Sequence, residues 1–197
     1  MTTHDEALAA VGAGADAIGM ILYAPGAPRQ IDADSARKIA MALPPFVTGV
    51  GVVIDCPSNR VRQLLAHIPL SAVQFGGRES LQDVRSAQPT PAIKKLSLGA
   101  DLATQARTWA QAIIPNLSGL LLEGDVAWLH GVDRSQLPPL ILAAGGMEPQ
   151  TIATLVGNHK PWGIDLGELL DPEGDRLSEA RIAESVAAVR AADLANP

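Results

Sequence analysis

Phe46-Val-Thr-Gly-Val-Gly-Val-Val-Ile54, then Asp55-Cys56-Pro57, then Ser58-Asn-Arg-Val-Arg-Gln-Leu-Leu-Ala-His67 is the stretch that decides the fold. A valine-rich apolar run reads as a strand buried on both faces, which is the habit of parallel sheets covered by helices. After a short turn, the next segment changes to a helical period and carries Ser58 at its start, a residue suited to capping a helix. One strand followed at once by one helix is a βα unit.

The unit repeats in both directions along the chain. Residues Asp16–Leu22, Ser71–Phe75, Ala92–Leu96, Ser118–Leu122, Pro139–Ala143 and Trp162–Leu166 read as further strands, making seven with Phe46–Ile54. Helical period marks Asp34–Leu43, Glu79–Ala87, Leu102–Ile114, Pro149–Val156 and Ser178–Ala192, and another helix, His4–Val11, precedes the first strand. The last helix is alanine-rich with charges on one side, as an outer helix should be. Such alternation predicts an α/β fold, a TIM-type (β/α)8 barrel of one domain over residues 1–197. A barrel unit begins with its strand, so an opening helix predicts that strand 1 of the barrel is lacking. Seven strands then leave two open edges, and a homodimer that covers them is expected.

The connections Tyr23–Ala33, Glu123–Asp133, Ala144–Glu148 and Gly167–Leu177 follow strand ends and mostly contain Gly or Pro. In a parallel barrel these loops form the catalytic face. The formal net charge is -6, with no cluster of Lys or Arg, which gives no electrostatic footprint for nucleic acid or an anionic membrane surface and favours a small-molecule partner. The longest apolar runs fall far short of the roughly 20 residues of a membrane span. The single cysteine, Cys56, cannot pair within the chain and fits a reducing compartment, so the expected location is the cytoplasm.

Four segments in order carry a resemblance: Ala-Gly-Ala-Asp-Ala-Ile-Gly at 13–19, Pro28-Arg29, Phe-Val-Thr-Gly-Val-Gly-Val at 46–52, and Pro-Trp-Gly-Ile-Asp at 161–165. Leu120-Leu121-Leu122 and Ala144-Gly145-Gly146 add weaker matches. Together they resemble phosphoribosylanthranilate isomerase, of tryptophan biosynthesis. The resemblance implies an Amadori aldose-ketose isomerisation in which a general acid opens the ribose ring and a general base moves the C2 proton, with no metal or cofactor. Such chemistry requires two groups held within hydrogen-bond reach of one carbon skeleton.

The resemblance also assigns residues. Arg29 matches an arginine that takes the anthranilate carboxylate, for which a planar fork is well suited. Asp165 matches an aspartate at the substrate amine; a loop-capping carboxylate is the alternative. Glu123 stands where the family has its general acid, an aspartate, and Asp125 is a possible substitute; both are otherwise loop-solvating acids. Gly145, Gly146 and Gly167 match a phosphate site built on backbone N–H groups beside a helix N-terminus.

The departures are as specific as the matches. The family's base is a cysteine in a Lys-Ile-Cys-Gly motif on its first strand, and Met1-Thr2 matches the two residues just after it, so an upstream segment carrying that motif is expected. Where the family reads Ser-Ser-Gly this chain has Gly167-Glu168-Leu169, placing a carboxylate by the expected phosphate. Gly-Thr-Gly-Lys is replaced by Ala127-Trp128-Leu129-His130, and Gln-Leu-His-Gly reads Gln74-Phe75-Gly76-Gly77. Cys56 is a candidate thiol base, with a packed buried cysteine as the commoner fate. His130 is a candidate acid or phosphate contact, or a solvated loop histidine; His4, His67 and His159 show no metal-ligand spacing with it. The rival function is a catalytically impaired barrel that binds a small anionic aromatic or sugar phosphate without turnover.

Overall fold

A computed structural model of the chain describes residues 1–97, 101–130, 132–167, 169 and 178–195. Its elements run α1 (His4–Gly12), β1 (Ala17–Tyr23), α2 (Ala33–Ala42), β2 (Thr48–Val53), α3 (Ser58–His67), β3 (Ala72–Phe75), α4 (Leu81–Arg85), β4 (Ala92–Leu96), α5 (Leu102–Gln111), β5 (Leu117–Leu122), β6 (Leu140–Ala143), α6 (Pro149–His159), β7 (Gly163–Asp165) and α7 (Glu179–Ala195). Two short 3₁₀ turns, Ala127–Leu129 and Arg134–Gln136, lie between β5 and β6. The strands form one seven-stranded sheet in sequential order, every pair parallel. A parallel neighbour requires a crossover, and α2 to α6 provide it where they intervene.

Boundaries shift where local chemistry overrides pattern. The second strand begins at Thr48 and not at Phe46, because Phe46 adopts φ 73° and lies fully exposed. Helix α4 is confined to Leu81–Arg85 by a capping box in which Ser80 and Asp83 exchange side-chain and backbone bonds, and Ser58 Oγ adds a 2.8 Å bond to Asp83. Thr3, Asp32 and Asp101 cap α1, α2 and α5 in the same manner, each accepting from a backbone N–H.

Alternation along each strand sorts side chains into two faces. Ile18, Met20 and Leu22 from β1, Val73 and Phe75 from β3, Leu120 and Leu122 from β5 and Leu140 and Leu142 from β6 are buried in the main core. Lys94 belongs to this helix-facing set, since its Nζ lies over the ring of Trp109 from α5. The opposite face curls inward: a Cβ on Gly119 of β5 would meet Ile93 from β4 and Ile141 from β6, which converge over it. On the outside, α7 packs against both α6 and α1, and Arg190 of α7 pairs with Asp16 at 2.7 Å just before β1. The helical layer therefore joins the two ends of the sheet although β1 and β7 do not pair among the described residues.

Candidate active site

Register stacks the inner face into layers. Lys95 pairs with Leu121, Leu121 with Ile141 and Ile141 with Gly163, so these residues share one level. Ala143 pairs with Asp165 one level higher, and Glu123 directly follows Leu122, the partner of Leu142. Glu123 and Asp165 thus stand at the C-terminal rim of the sheet with Lys95 just beneath them. The rim is where parallel-barrel chemistry is built.

Glu123 does not stand alone. Its Oε1 lies 2.8 Å from Lys95 Nζ, and the two side chains are 44% and 26% exposed. The hydrogen bond from Lys95 is the main influence on its carboxyl, followed by an opposing effect of partial burial and then by the Lys95 charge and the Ser97 hydroxyl; the net result is a carboxyl below its ordinary range. Asp125 is exposed and turns its Oδ1 to the N–H of Ala127 at 2.8 Å, opening the first 3₁₀ turn.

Arg29 enters from the loop after β1. Its Nη2 donates to Glu6 Oε2 at 2.7 Å, with side chains 13% and 18% exposed, so the guanidinium is anchored to α1. Thr2 donates to the same carboxylate through its N–H and its hydroxyl, at 2.7 and 2.9 Å. The Met1 ammonium donates to Gly19 O on the edge of β1 away from β2, where Gln30 also bridges to Ile21. Burial works against ionisation of Glu6, but the bonds from Arg29 and Thr2 outweigh it and hold the carboxyl below its ordinary range.

At the other end of the sheet two loops touch backbone to backbone. A Cβ on Gly145 would lie 3.2 Å from Leu166 O and 3.4 Å from Gly167 Cα, and Gly146 and Gly167 take φ values of 74° and 61°. Only glycine allows both the approach and these dihedrals without strain. The N-terminus of α6 follows at once, with Pro149 in its first turn and no side-chain cap from Glu148, which leaves its N–H groups free of a capping side chain. Asp165 accepts the Gly167 N–H at 2.8 Å, the loop-capping arrangement foreseen as its alternative. Glu168 lies outside the described residues.

Cys56 is buried, and desolvation by burial, with Glu79 adding and Arg60 opposing, pushes its thiol up to about 11. It is a packed thiol and not a poised base. His130 is exposed with its ring 4.9 Å from that of His159, which is buried and whose ionisation is opposed by that burial and by the neighbouring cationic groups. No group of His, Cys, Asp and Glu among the described residues is arranged to hold a metal ion. Gly77 is fixed sterically, since a Cβ there would overlap Asp55.

The family model of N-(5'-phosphoribosyl)anthranilate isomerase matches residues 1–168. The chain belongs to that family. It is 35% identical over 202 residues to N-(5'-phosphoribosyl)anthranilate isomerase of Pseudomonas aeruginosa, covering 96% of this chain and 92% of the relative. The enzyme of Alcanivorax borkumensis is 35% identical over 176 residues, or 84% of this chain and 78% of the relative. Among solved structures, phosphoribosyl anthranilate isomerase from Thermus thermophilus is 28% identical with a TM-score of 0.77, covering 97% and 96% of the two chains. A phosphoribosyl anthranilate isomerase in complex with reduced 1-(O-carboxyphenylamino)-1-deoxyribulose 5-phosphate superposes with a TM-score of 0.85 over 97% of this chain and 95% of that one, at 24% identity. The TIM-type barrel read from the sequence is the fold of this isomerase family.

Sequence reasoning passed over Lys95 and the pair formed by Lys94 and Glu79. The signal was present: two lysines inside Ala92–Leu96, a run read as a buried strand, require partners, because a buried strand does not hold an unpaired ammonium.

Proposed function

We propose that this chain is a single-domain cytoplasmic isomerase that converts the anthranilate aminosugar phosphate to its ketose in tryptophan biosynthesis. The observation that carries the reading is the 35% identity to isomerases of that name along 96% of the chain. The rim chemistry supports it. Arg29, its planar fork held by Glu6, takes the anthranilate carboxylate; Asp165 meets the amine; Glu123, or Asp125 in its place, belongs to the acid side of the reaction. Gly145 and Gly146 with the start of α6 supply backbone N–H groups for the phosphate, while Gly167, whose own N–H goes to Asp165, lets the second loop approach them. A phosphoribosylanthranilate isomerase of Thermotoga maritima is described as dimeric, and we propose a homodimer here, to be checked by light scattering on the eluting peak.

The decisive assay follows the decay of anthranilate fluorescence with phosphoribosylanthranilate, on this chain and on a form carrying a Lys-Ile-Cys-Gly segment ahead of Met1. Turnover by either form supports the reading. Binding without turnover by both would support the impaired-barrel alternative instead.

A further inference from the structure

Lys94 and Lys95 are neighbours in a strand that is otherwise apolar, and alternation sends them to opposite faces. Lys94 is committed to Glu79, in the loop between β3 and α4. Lys95 projects into the mouth, its Nζ 2.8 Å from Glu123 Oε1. The neighbouring inner-face residues Leu121, Ile141 and Ala143 carry no charge, and Asp165 from β7, one level above Lys95, gives an oxygen to its own loop.

Glu123 stands where the acid belongs, yet the Lys95 bond and charge, with Ser97, hold it as a carboxylate. A carboxylate has no proton to give. Within the pair Lys95 Nζ is the donor and Glu123 Oε1 the acceptor.

We propose that Lys95 is the general acid that opens the sugar ring, with Glu123 the carboxylate that holds its ammonium in place, an inference that rests on the isomerase reading above. An Nζ–H bond breaks and its proton goes to the ring oxygen. The bond from C1 to that oxygen breaks, its electron pair staying on oxygen, and the anthranilate nitrogen lone pair forms C1=N. One cation replaces another, since the ammonium becomes a neutral amine as the iminium forms beside Glu123. The amine regains its proton within the isomerisation, which releases one from C2.

The test is the pH profile of kcat/KM for the form that turns over, compared with Lys95→Met, Lys95→Arg and Glu123→Gln. Lys95→Met is expected to lose about 100-fold, the scale of a general acid. Lys95→Arg is expected to lose as much, because a guanidinium keeps the charge and the pairing but does not release its proton. Glu123→Gln is expected to lose about tenfold, and the parent rate is expected to persist above pH 8, where a carboxylic acid donor would have lost its proton. Activity retained in Lys95→Met or Lys95→Arg and abolished in Glu123→Gln, with the parent rate falling above the carboxylate range, would overturn the inference and return the role to Glu123. Should Lys95→Met lose its circular dichroism, Lys95→Arg decides. Absence of turnover in both unsubstituted forms overturns the isomerase reading and this step with it, whereas an active Lys95→Met overturns this step alone.

Discussion

Lys94 Nζ lies 2.6 Å from Glu79 Oε2, with side chains 4% and 2% exposed, and the pair ties the loops after β2 and β3 to strand β4. The ammonium also donates to the carbonyls of Gly77 and Phe75, while the carboxylate accepts the N–H groups of Asp55 and Gly77 at 2.8 and 2.9 Å. Every strong donor and acceptor of the pair is met, which is the condition under which buried charges persist. Lys94→Met leaves Glu79 buried without its counter-charge, and a loss of about 3–5 kcal/mol is expected in urea unfolding. Replacing both partners by apolar residues is expected to recover part of that loss. Equal destabilisation in the single and double variants would contradict the account.

Gly145 and Gly167 set the distance between the loops after β6 and β7. Gly145→Ala places a methyl 3.2 Å from one backbone oxygen and 3.4 Å from a backbone carbon, so the loops must separate by some tenths of an ångström. If these loops cradle the phosphate, KM is expected to rise about tenfold, or about 1.4 kcal/mol, with kcat little changed. Steady-state kinetics on phosphoribosylanthranilate separates the two parameters, and a fall confined to kcat would place the phosphate elsewhere.

The sheet was legible because each of its strands is a short apolar run between turn residues, and Ala92–Leu96 was found at its observed bounds. Phe46 was misread because hydrophobicity marks a strand while φ 73° ends one, and periodicity carries no dihedral information. Arg29 was readable by position, but its anchoring to Glu6 was not, since 23 residues separate partners that only the tertiary fold unites. Lys95 escaped for a related reason. Whether a lysine faces the helices or the mouth depends on a one-residue register, and Lys94 and Lys95 differ by that one step.

Arg29 is expected to be the most sensitive binding residue. Loss of a hydrogen bond between charged groups is worth about 1.5–3 kcal/mol, so Arg29→Ala should weaken product-analogue binding about tenfold to a hundredfold by calorimetry. Arg29→Lys should recover little, lacking the planar fork. An unchanged affinity in Arg29→Ala would leave the residue a purely structural partner of Glu6.

Glu6 provides a pH test of the same contact. Its carboxyl lies below its ordinary value of 4.5 in the folded chain, so its contribution to stability is present above pH 4.5 and lost as the pH falls through the folded value. Glu6→Gln is therefore expected to be less stable than the parent at pH 7, with the gap narrowing below pH 4.5. A gap independent of pH would mean that charge pairing with Arg29 contributes nothing.

Cys56 offers the contrasting sign. Burial raises its thiol from 9.0 to about 11, so the folded chain retains the proton where the unfolded chain has lost it. Any stability this gives is complete below pH 9 and lost as the pH rises toward 11. At pH 8 the native thiolate fraction is on the order of 0.1%, so labelling by a thiol-specific reagent should be slow in the folded protein and rapid in urea. Cys56→Ala should keep isomerase activity within about twofold, because a protonated, packed thiol is no base. Rapid native labelling together with an inactive Cys56→Ala would instead assign the C2 proton to this residue.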